Sequence, residues 1–174
     1  MNRSLFRRGD ELLARAENAF LALSSGLIAF LVVSAVFFRY FLNDPLTWTE
    51  EFIVTTFTWM LFIGFSSGFA YRMHLRIDAL LLVLPAGGRA VVGALAVTAT
   101  LVTLLGLAWF GAEQAFSMLD NETPMLRISA AWAASAVPAS ALFAMVHVLG
   151  HAVSDGVGQA LWTTGATNPS EGAD

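Results

Sequence analysis

The fold is decided by residues 37–85, "FFRYFLNDPLTWTEEFIVTTFTWMLFIGFSSGFAYRMHLRIDALLLVLP". Charged residues occur in two short parts of this stretch, 39–51 and 72–78, and none occurs between them. The uncharged part, 52–71, is apolar and would rise ~30 Å as a helix, which is the thickness of the hydrocarbon core of a bilayer. The stretch therefore predicts a transmembrane helix between two charged connections.

The rest of the chain extends this pattern. Hydrophobic residues make up 57% of the 174 residues and charged residues only 13%, which is far from the composition of a soluble protein. Three further stretches lack Asp, Glu, Lys, Arg and His: 19–38, 90–112 and 128–146. We therefore predict an all-α integral membrane protein with four transmembrane helices, and we exclude a soluble enzyme.

The predicted organisation is a single four-helix membrane domain over residues 1–155, followed by a disordered cytoplasmic tail over 156–174. The tail is predicted from its Gly, Ser, Thr and acidic residues. Residues 4–18, "SLFRRGDELLARAEN", predict an amphipathic N-terminal helix in the membrane interface that runs into the first spanning helix. The spanning helices are expected at approximately 19–41, 49–71, 90–118 and 129–153.

Arginine predicts the orientation, because the chain contains no lysine. Seven arginines lie on one predicted side and two on the other, so the positive-inside rule places both termini in the cytoplasm. The apolar run after the first arginines also resembles a secretory signal. It begins too late and is too long for one, so we expect a retained anchor. The seven are Arg3, Arg7, Arg8, Arg15, Arg72, Arg76 and Arg89, and the two are Arg39 and Arg127.

The first outer connection, "NDPLTWTEE", has the composition of a turn that leads into a helix. Asn43 and the Asp-Pro pair after it end the first helix, and Thr47 or Thr49 is expected to cap the second. Glu50 and Glu51 would occupy the first turn of that helix, where its dipole favours negative charge. Arg39 is expected to pair with one of these two carboxylates across the turn.

The central parts of the predicted helices contain no ionisable side chain, and transport through this chain alone would be expected to need one there. Their Ser and Thr residues are interpreted as packing groups or as hydroxyls bonded to the helix backbone. Gly64 and Gly68 form a small-xxx-small pair, which indicates either a close helix contact or a chance spacing.

The three histidines are the candidates for metal or haem. His147 and His151 are four residues apart and share a helix face, and His74 is predicted at the same membrane surface. No acid or cysteine lies within three residues of either histidine, and histidine is ordinary at a membrane interface, so we predict no metal and no cofactor. No catalytic residue is predicted either. His74 and Asp78 are also four apart, and either form a structural network with nearby arginines or remain solvated.

The stretch 37–85 resembles part of the small membrane subunit, the DctQ type, of tripartite ATP-independent periplasmic (TRAP) transporters. The resemblance rests on the order and spacing of residues within 37–85, and the remaining helices agree in hydropathy only. The residues that carry it are Arg39-Tyr40, Trp48, Glu50-Glu51, Trp59, Gly64, "HLRID" from His74 to Asp78, and Leu84-Pro85.

The resemblance implies an accessory role in the bacterial inner membrane. Such a subunit scaffolds a large, M-type membrane subunit that moves substrate by an elevator motion, in sodium symport of an organic acid. A periplasmic binding protein delivers the substrate, membrane lipids surround the assembly, and no nucleic acid is involved. The residues carried over as structural or interface candidates are Arg39, Tyr40, Trp48, Glu50, Glu51, His74 and Asp78.

Two other classes compete with this interpretation. A membrane anchor of a respiratory or quinone-linked enzyme also uses small four-helix chains, but it would require buried histidine for haem or a defined quinone pocket. A stand-alone pore would require a polar stripe along its helices, which the sequence lacks.

Overall fold

A computed structural model describes residues 2–71 and 86–155, and these are helical apart from their connections. Four segments are long and apolar enough to cross a membrane: Arg8–Leu42, Thr47–Ala70, Val91–Ser117 and Ala131–Val153. The prediction of an all-α fold with four spanning helices is thereby confirmed. The elements are α1 (Asn2–Phe37), a π-helical turn (Phe38–Leu42), α2 (Thr47–Ala70), α3 (Ala86–Ser117), α4 (Ala131–Ala134) and α5 (Ala136–Asp155).

The N-terminal segment and the first spanning helix form one continuous helix. α1 runs unbroken to Phe37 and then widens into the π-helical turn. Asn43 ends this turn in the left-handed conformation, with φ of 52°, and its N–H donates to the carbonyl of Phe38. Asparagine tolerates this backbone conformation better than most residues, so the chain reverses here without a glycine.

The start of α2 differs from the expectation of a threonine cap. Leu46 occupies the capping position and makes no side-chain hydrogen bond there. The Thr49 hydroxyl instead donates to the Leu46 carbonyl at 2.5 Å, so it satisfies an acceptor rather than the free N–H groups of the first turn. Glu50 does lie in that first turn, as predicted.

α5 contacts each of the other three long helices, and α1 also packs along α2. The buried core consists of Phe69 from α2, Val97 and Leu104 from α3, and Ala141, Ala144 and Val148 from α5. The small side chains on α5 let neighbouring backbones approach closely, which is how helices associate when lipid removes any hydrophobic drive.

Two glycines lie in helix contacts, and they differ in how much space is left for a larger side chain. A Cβ added at Gly111 of α3 would lie 3.0 Å from both Val137 and Pro138 of α5, closer than ordinary packing. One added at Gly64 of α2 would lie 3.7 Å from Leu21 of α1, an ordinary contact. Gly64 therefore lies at a helix–helix contact, whereas Gly111 is required by one.

The last spanning segment is interrupted near its start. α4 and α5 are separated by Ser135, three residues before Pro138. Proline lacks the N–H that a continuous helix would use and is tolerated in the first turn of a new one. Pro138 thus accounts for the interruption of the helix at Ser135.

His74 and Asp78 of the predicted site, the connection at 72–85 and the predicted tail at 156–174 lie outside the described residues.

Candidate functional site

The described residues form two polar clusters at opposite ends of the helices. The Glu51 cluster comprises Arg39, Glu50 and Glu51 with the connection between α3 and α4. The His147 cluster comprises Asp10, Glu17, Ser66 and His147, at the end where the described chain begins and finishes.

Glu51 fastens the α3–α4 connection to α2. Its Oε2 accepts hydrogen bonds from the backbone N–H of Met125 at 3.0 Å and of Leu126 at 2.7 Å. An ionised carboxylate that accepts two N–H groups makes charge-assisted hydrogen bonds, which are stronger than neutral ones. This residue was predicted as a structural or interface candidate, and its partners lie more than seventy residues away in sequence.

The α3–α4 connection itself is a small hairpin-like turn. Glu122 and Ser129 form an isolated antiparallel bridge, and the N–H of Ala130 donates to the Asn121 carbonyl at 2.7 Å. Arg127 adopts a left-handed φ of 51° within it. The turn is therefore ordered by its own backbone and is then held to α2 by Glu51.

A second contact joins α2 to α4 just below this turn. The indole N–H of Trp59 donates to the carbonyl of Trp132 at 3.1 Å, and the two rings are 5.4 Å apart between centroids. Buried or interfacial tryptophan favours such an arrangement because its N–H needs an acceptor.

Arg39 pairs with Glu50, one of the two partners left open by the sequence. The Arg39 Nη2 donates to Glu50 Oε1 at 2.6 Å, and the side chains are 56% and 70% exposed. Exposed ion pairs contribute only about 0–1 kcal/mol to stability. This pair therefore lies on the surface and adds little to the fold.

The aromatic candidates lie beside this pair. Tyr40 and Trp48 are both exposed, as side chains of an interfacial aromatic belt are. A groove of about 650 Å³ runs between the α1–α2 turn and the α3–α4 connection, and it is lined by Arg39, Pro45, Thr47, Glu50, Glu51, Pro124 and Met125.

The His147 cluster joins α1, α2 and α5 through a fully buried imidazole. His147 Nδ1 lies 2.5 Å from Asp10 Oδ1, and Nε2 lies 3.2 Å from Glu17 Oε2. Ser66 donates its hydroxyl to Glu17 Oε1 at 2.7 Å. Glu17 is 3% exposed and His147 0%. Each buried polar group thus has a partner, as burial requires.

Further polar contacts continue from this cluster along the same end. Asn18 donates from its side-chain amide to the Tyr71 hydroxyl and accepts from Ser67 at 3.4 Å. His151 Nε2 lies 3.2 Å from the Ala70 carbonyl. These contacts tie α1 and α5 to the last turn of α2.

Sequence reasoning missed Asp10 and Glu17, and it described His147 as lacking an acidic neighbour. The acids come from α1, which is more than a hundred residues away from His147 in sequence. One signal was available: Asp10 and Glu17 are seven residues apart, a spacing that places both on one face of a helix. Within the described part of the chain, no group of three or more His, Cys, Asp or Glu residues has the arrangement of a metal site.

Comparison with known proteins gives two consistent findings. Residues 28–156 match the family model described as "Tripartite ATP-independent periplasmic transporters, DctQ component". The chain is also 30% identical over 142 residues to the C4-dicarboxylate TRAP transporter small permease protein DctQ of Vibrio cholerae serotype O1. That alignment covers 76% of this chain, and this chain spans 61% of the length of the relative.

Proposed function

Because the chain belongs to the DctQ component family of tripartite ATP-independent periplasmic transporters, we propose that it is the small subunit that scaffolds a large, elevator-type membrane subunit. It is a multi-pass protein of the bacterial inner membrane. In this proposal the complete transporter takes up an organic acid with sodium, and a periplasmic binding protein delivers the substrate. Both termini of the chain lie in the cytoplasm.

The observation that carries the scaffold role is that polar contacts tie the helices together at both ends. Glu51 and Trp59 hold α2 to the α3–α4 segment at one end, and His147 holds α5 to α1 at the other. An elevator requires one body that stays fixed while another moves. Helices cross-linked by hydrogen bonds at both membrane surfaces resist sliding past one another, which suits the fixed body.

The residues of the predicted site divide into two roles under this proposal. Glu51 stabilises the fold of the subunit. Arg39, Tyr40, Trp48 and Glu50 are exposed beside the groove and suit contact with lipid headgroups or with a partner subunit. His74 and Asp78 remain proposed as structural or interface residues of the same kind.

The alternative, a haem- or quinone-binding anchor subunit, would need a buried histidine with a ring nitrogen available for the haem iron. His147 is buried, but it does not offer such a nitrogen. Both ring nitrogens of His147 already face carboxylate oxygens, so haem ligation by this side chain would break a buried contact. His151 directs Nε2 at a backbone carbonyl.

Affinity purification tests the assembly. A tagged copy of the chain would be extracted from its native membrane in a mild detergent, and co-purifying proteins would be identified by mass spectrometry. We expect a large polytopic membrane subunit at comparable yield. An unrelated four-helix membrane protein with the same tag is the control for non-specific capture.

The same preparation tests the surface residues. Arg39→Ala is expected to reduce recovery of the large subunit while the thermal stability of the chain stays near wild type. Arg15→Ala, an exposed arginine at the other end of α1, is the matched control. Recovery of a redox enzyme, a coloured chain, or a chain that is always alone would overturn the proposed function.

A further inference from the structure

The geometry of the His147 cluster fixes how many hydrogens its hydrogen bonds require. Both ring nitrogens lie within hydrogen-bond distance of a carboxylate oxygen, at 2.5 and 3.2 Å. Each of these contacts needs one hydrogen between nitrogen and oxygen. The two contacts of the imidazole therefore need two hydrogens, one in each.

The ordinary ionisation states supply only one of them. A neutral imidazole carries a single N–H, and ionised Asp and Glu are acceptors only. The Ser66 hydroxyl is already directed at the other oxygen of Glu17 and contributes nothing to the contacts of the ring. A second proton is required, on the imidazole or on a carboxyl group.

We propose that Asp10, Glu17 and His147 form a proton-binding site, and that packing of the first turns of α1 against α5 takes up one proton. When these side chains are separated in water, histidine is neutral above its ordinary pKa of roughly 6.5 and both carboxylates are ionised. Above that pH the packed arrangement holds one proton more than the separated one. Rising pH therefore favours separation, with a tenfold change in the equilibrium for each pH unit.

The other described titratable groups at this end do not supply the second proton that the His147 cluster needs. α1 carries Arg8, Glu11 and Arg15 on exposed positions. α2 contributes Ser66 and, one turn further, the Tyr71 hydroxyl, which accepts from Asn18. α5 contributes His151, whose Nε2 faces the Ala70 carbonyl. Among residues 91–117 of α3 the titratable side chain is Glu113, which is exposed near the opposite end.

This site does not depend on the proposed function. The family-model match begins at residue 28, so Asp10 and Glu17 lie outside it, whereas His147 lies inside. If the transporter proposal failed, the two contacts of His147 would still require two hydrogens.

Spin-label distance measurements on the full chain in lipid nanodiscs test the proposal. The chain contains no cysteine, so Gly9→Cys with Val153→Cys places one label on α1 and one on α5 without background. A Cβ at Gly9 meets no neighbouring atom, and Val153 is exposed. Between about pH 7 and 9, above the ordinary pKa of histidine, we expect the separated population to grow with pH, by up to tenfold per unit.

Glu17→Gln separates proton binding from simple packing. The glutamine amide can donate to the neutral Nε2, accept from Ser66 and leave the Nδ1 hydrogen for Asp10, so every contact is satisfied without the extra proton. We expect this variant to keep the short distance and to lose the pH dependence. In Asp10→Asn the asparagine amide can donate to the neutral Nδ1 and leave the Nε2 hydrogen for Glu17. This variant replaces Glu17→Gln in the experiment if Glu17→Gln does not fold.

Glu113→Gln is the matched control, because it removes one exposed carboxylate far from the site, and it should retain the wild-type pH dependence. A pH-independent distance in the wild-type chain would overturn the proposal. So would an unchanged pH dependence in the folded Glu17→Gln or Asp10→Asn variant, since the proton would then be held elsewhere.

Discussion

Glu50 and Glu51 are adjacent in the sequence, yet their carboxylates have different tasks. Glu50 pairs with Arg39 on the exposed surface, and Glu51 accepts two backbone hydrogen bonds from another segment of the chain. The two residues thus form a natural comparison between a surface ion pair and a contact that holds the fold together.

Glu51→Ala is expected to destabilise the chain by about 1–3 kcal/mol, because the N–H groups of Met125 and Leu126 lose their acceptor. Glu50→Ala, the matched control, should cost at most about 1 kcal/mol. Thermal unfolding of the two variants in the same detergent measures the difference. Equal losses would show that the contact of Glu51 with the α3–α4 connection contributes nothing beyond charge.

Gly111 provides a second test, of close packing. Gly111→Ala places a methyl group 3.0 Å from Val137 and Pro138, so we expect a loss of about 1–3 kcal/mol from overpacking. Gly106→Ala in the same helix meets no atom within 4 Å and should be neutral or slightly stabilising, because alanine favours helix more than glycine. Similar unfolding temperatures for both variants would contradict the close approach of α3 and α5.

At the scale of the element, α1 is the helix with the most varied environment along its length. Its first turns carry Asp10 and Glu17 towards α5, its middle packs on α2, and its end widens into the π-helical turn. The reversal at Asn43 then positions Arg39 next to Glu50. The conformation of one residue therefore orients the surface pair and the groove beside it.

Substitutions at Asn43 test this ending. Asn43→Ala places an ordinary residue in the left-handed region, which costs about 1–2 kcal/mol, and Asn43→Gly removes that cost because glycine lacks a Cβ. We expect the alanine variant to unfold at a lower temperature and the glycine variant to remain close to wild type. A glycine variant as unstable as the alanine variant would mean that the asparagine side chain, rather than the backbone, is what matters.

At the scale of the whole molecule, the two clusters lie at opposite ends of the spanning helices. The arginine distribution predicts that the His147 cluster faces the cytoplasm and the Glu51 cluster the periplasm.

Cysteine labelling of intact cells determines the orientation, because the chain has no cysteine of its own. A membrane-impermeant maleimide that reaches the periplasm should label Asn121→Cys and leave Gly9→Cys unmodified. Both should react after the membrane is made permeable, which controls for buried thiols. The reverse pattern would place the termini outside.

Composition and hydropathy were sufficient to establish the membrane class, the four spanning helices and the turn at Asn43. These properties depend on local sequence: an uncharged stretch of about 20 residues spans the bilayer whatever its neighbours are. The Arg39–Glu50 contact could be predicted for the same reason, since its partners lie eleven residues apart across one short turn.

Contacts between distant helices were decided by tertiary structure alone. A helix surrounded by lipid is apolar on all sides, so periodicity does not reveal which face packs against protein. The Glu51 contact with the α3–α4 connection and the enclosure of His147 by Asp10 and Glu17 depend on how the helices rotate and pair. Glu17 and His147 are 130 residues apart in sequence, and only the packing of α1 against α5 brings the two side chains together.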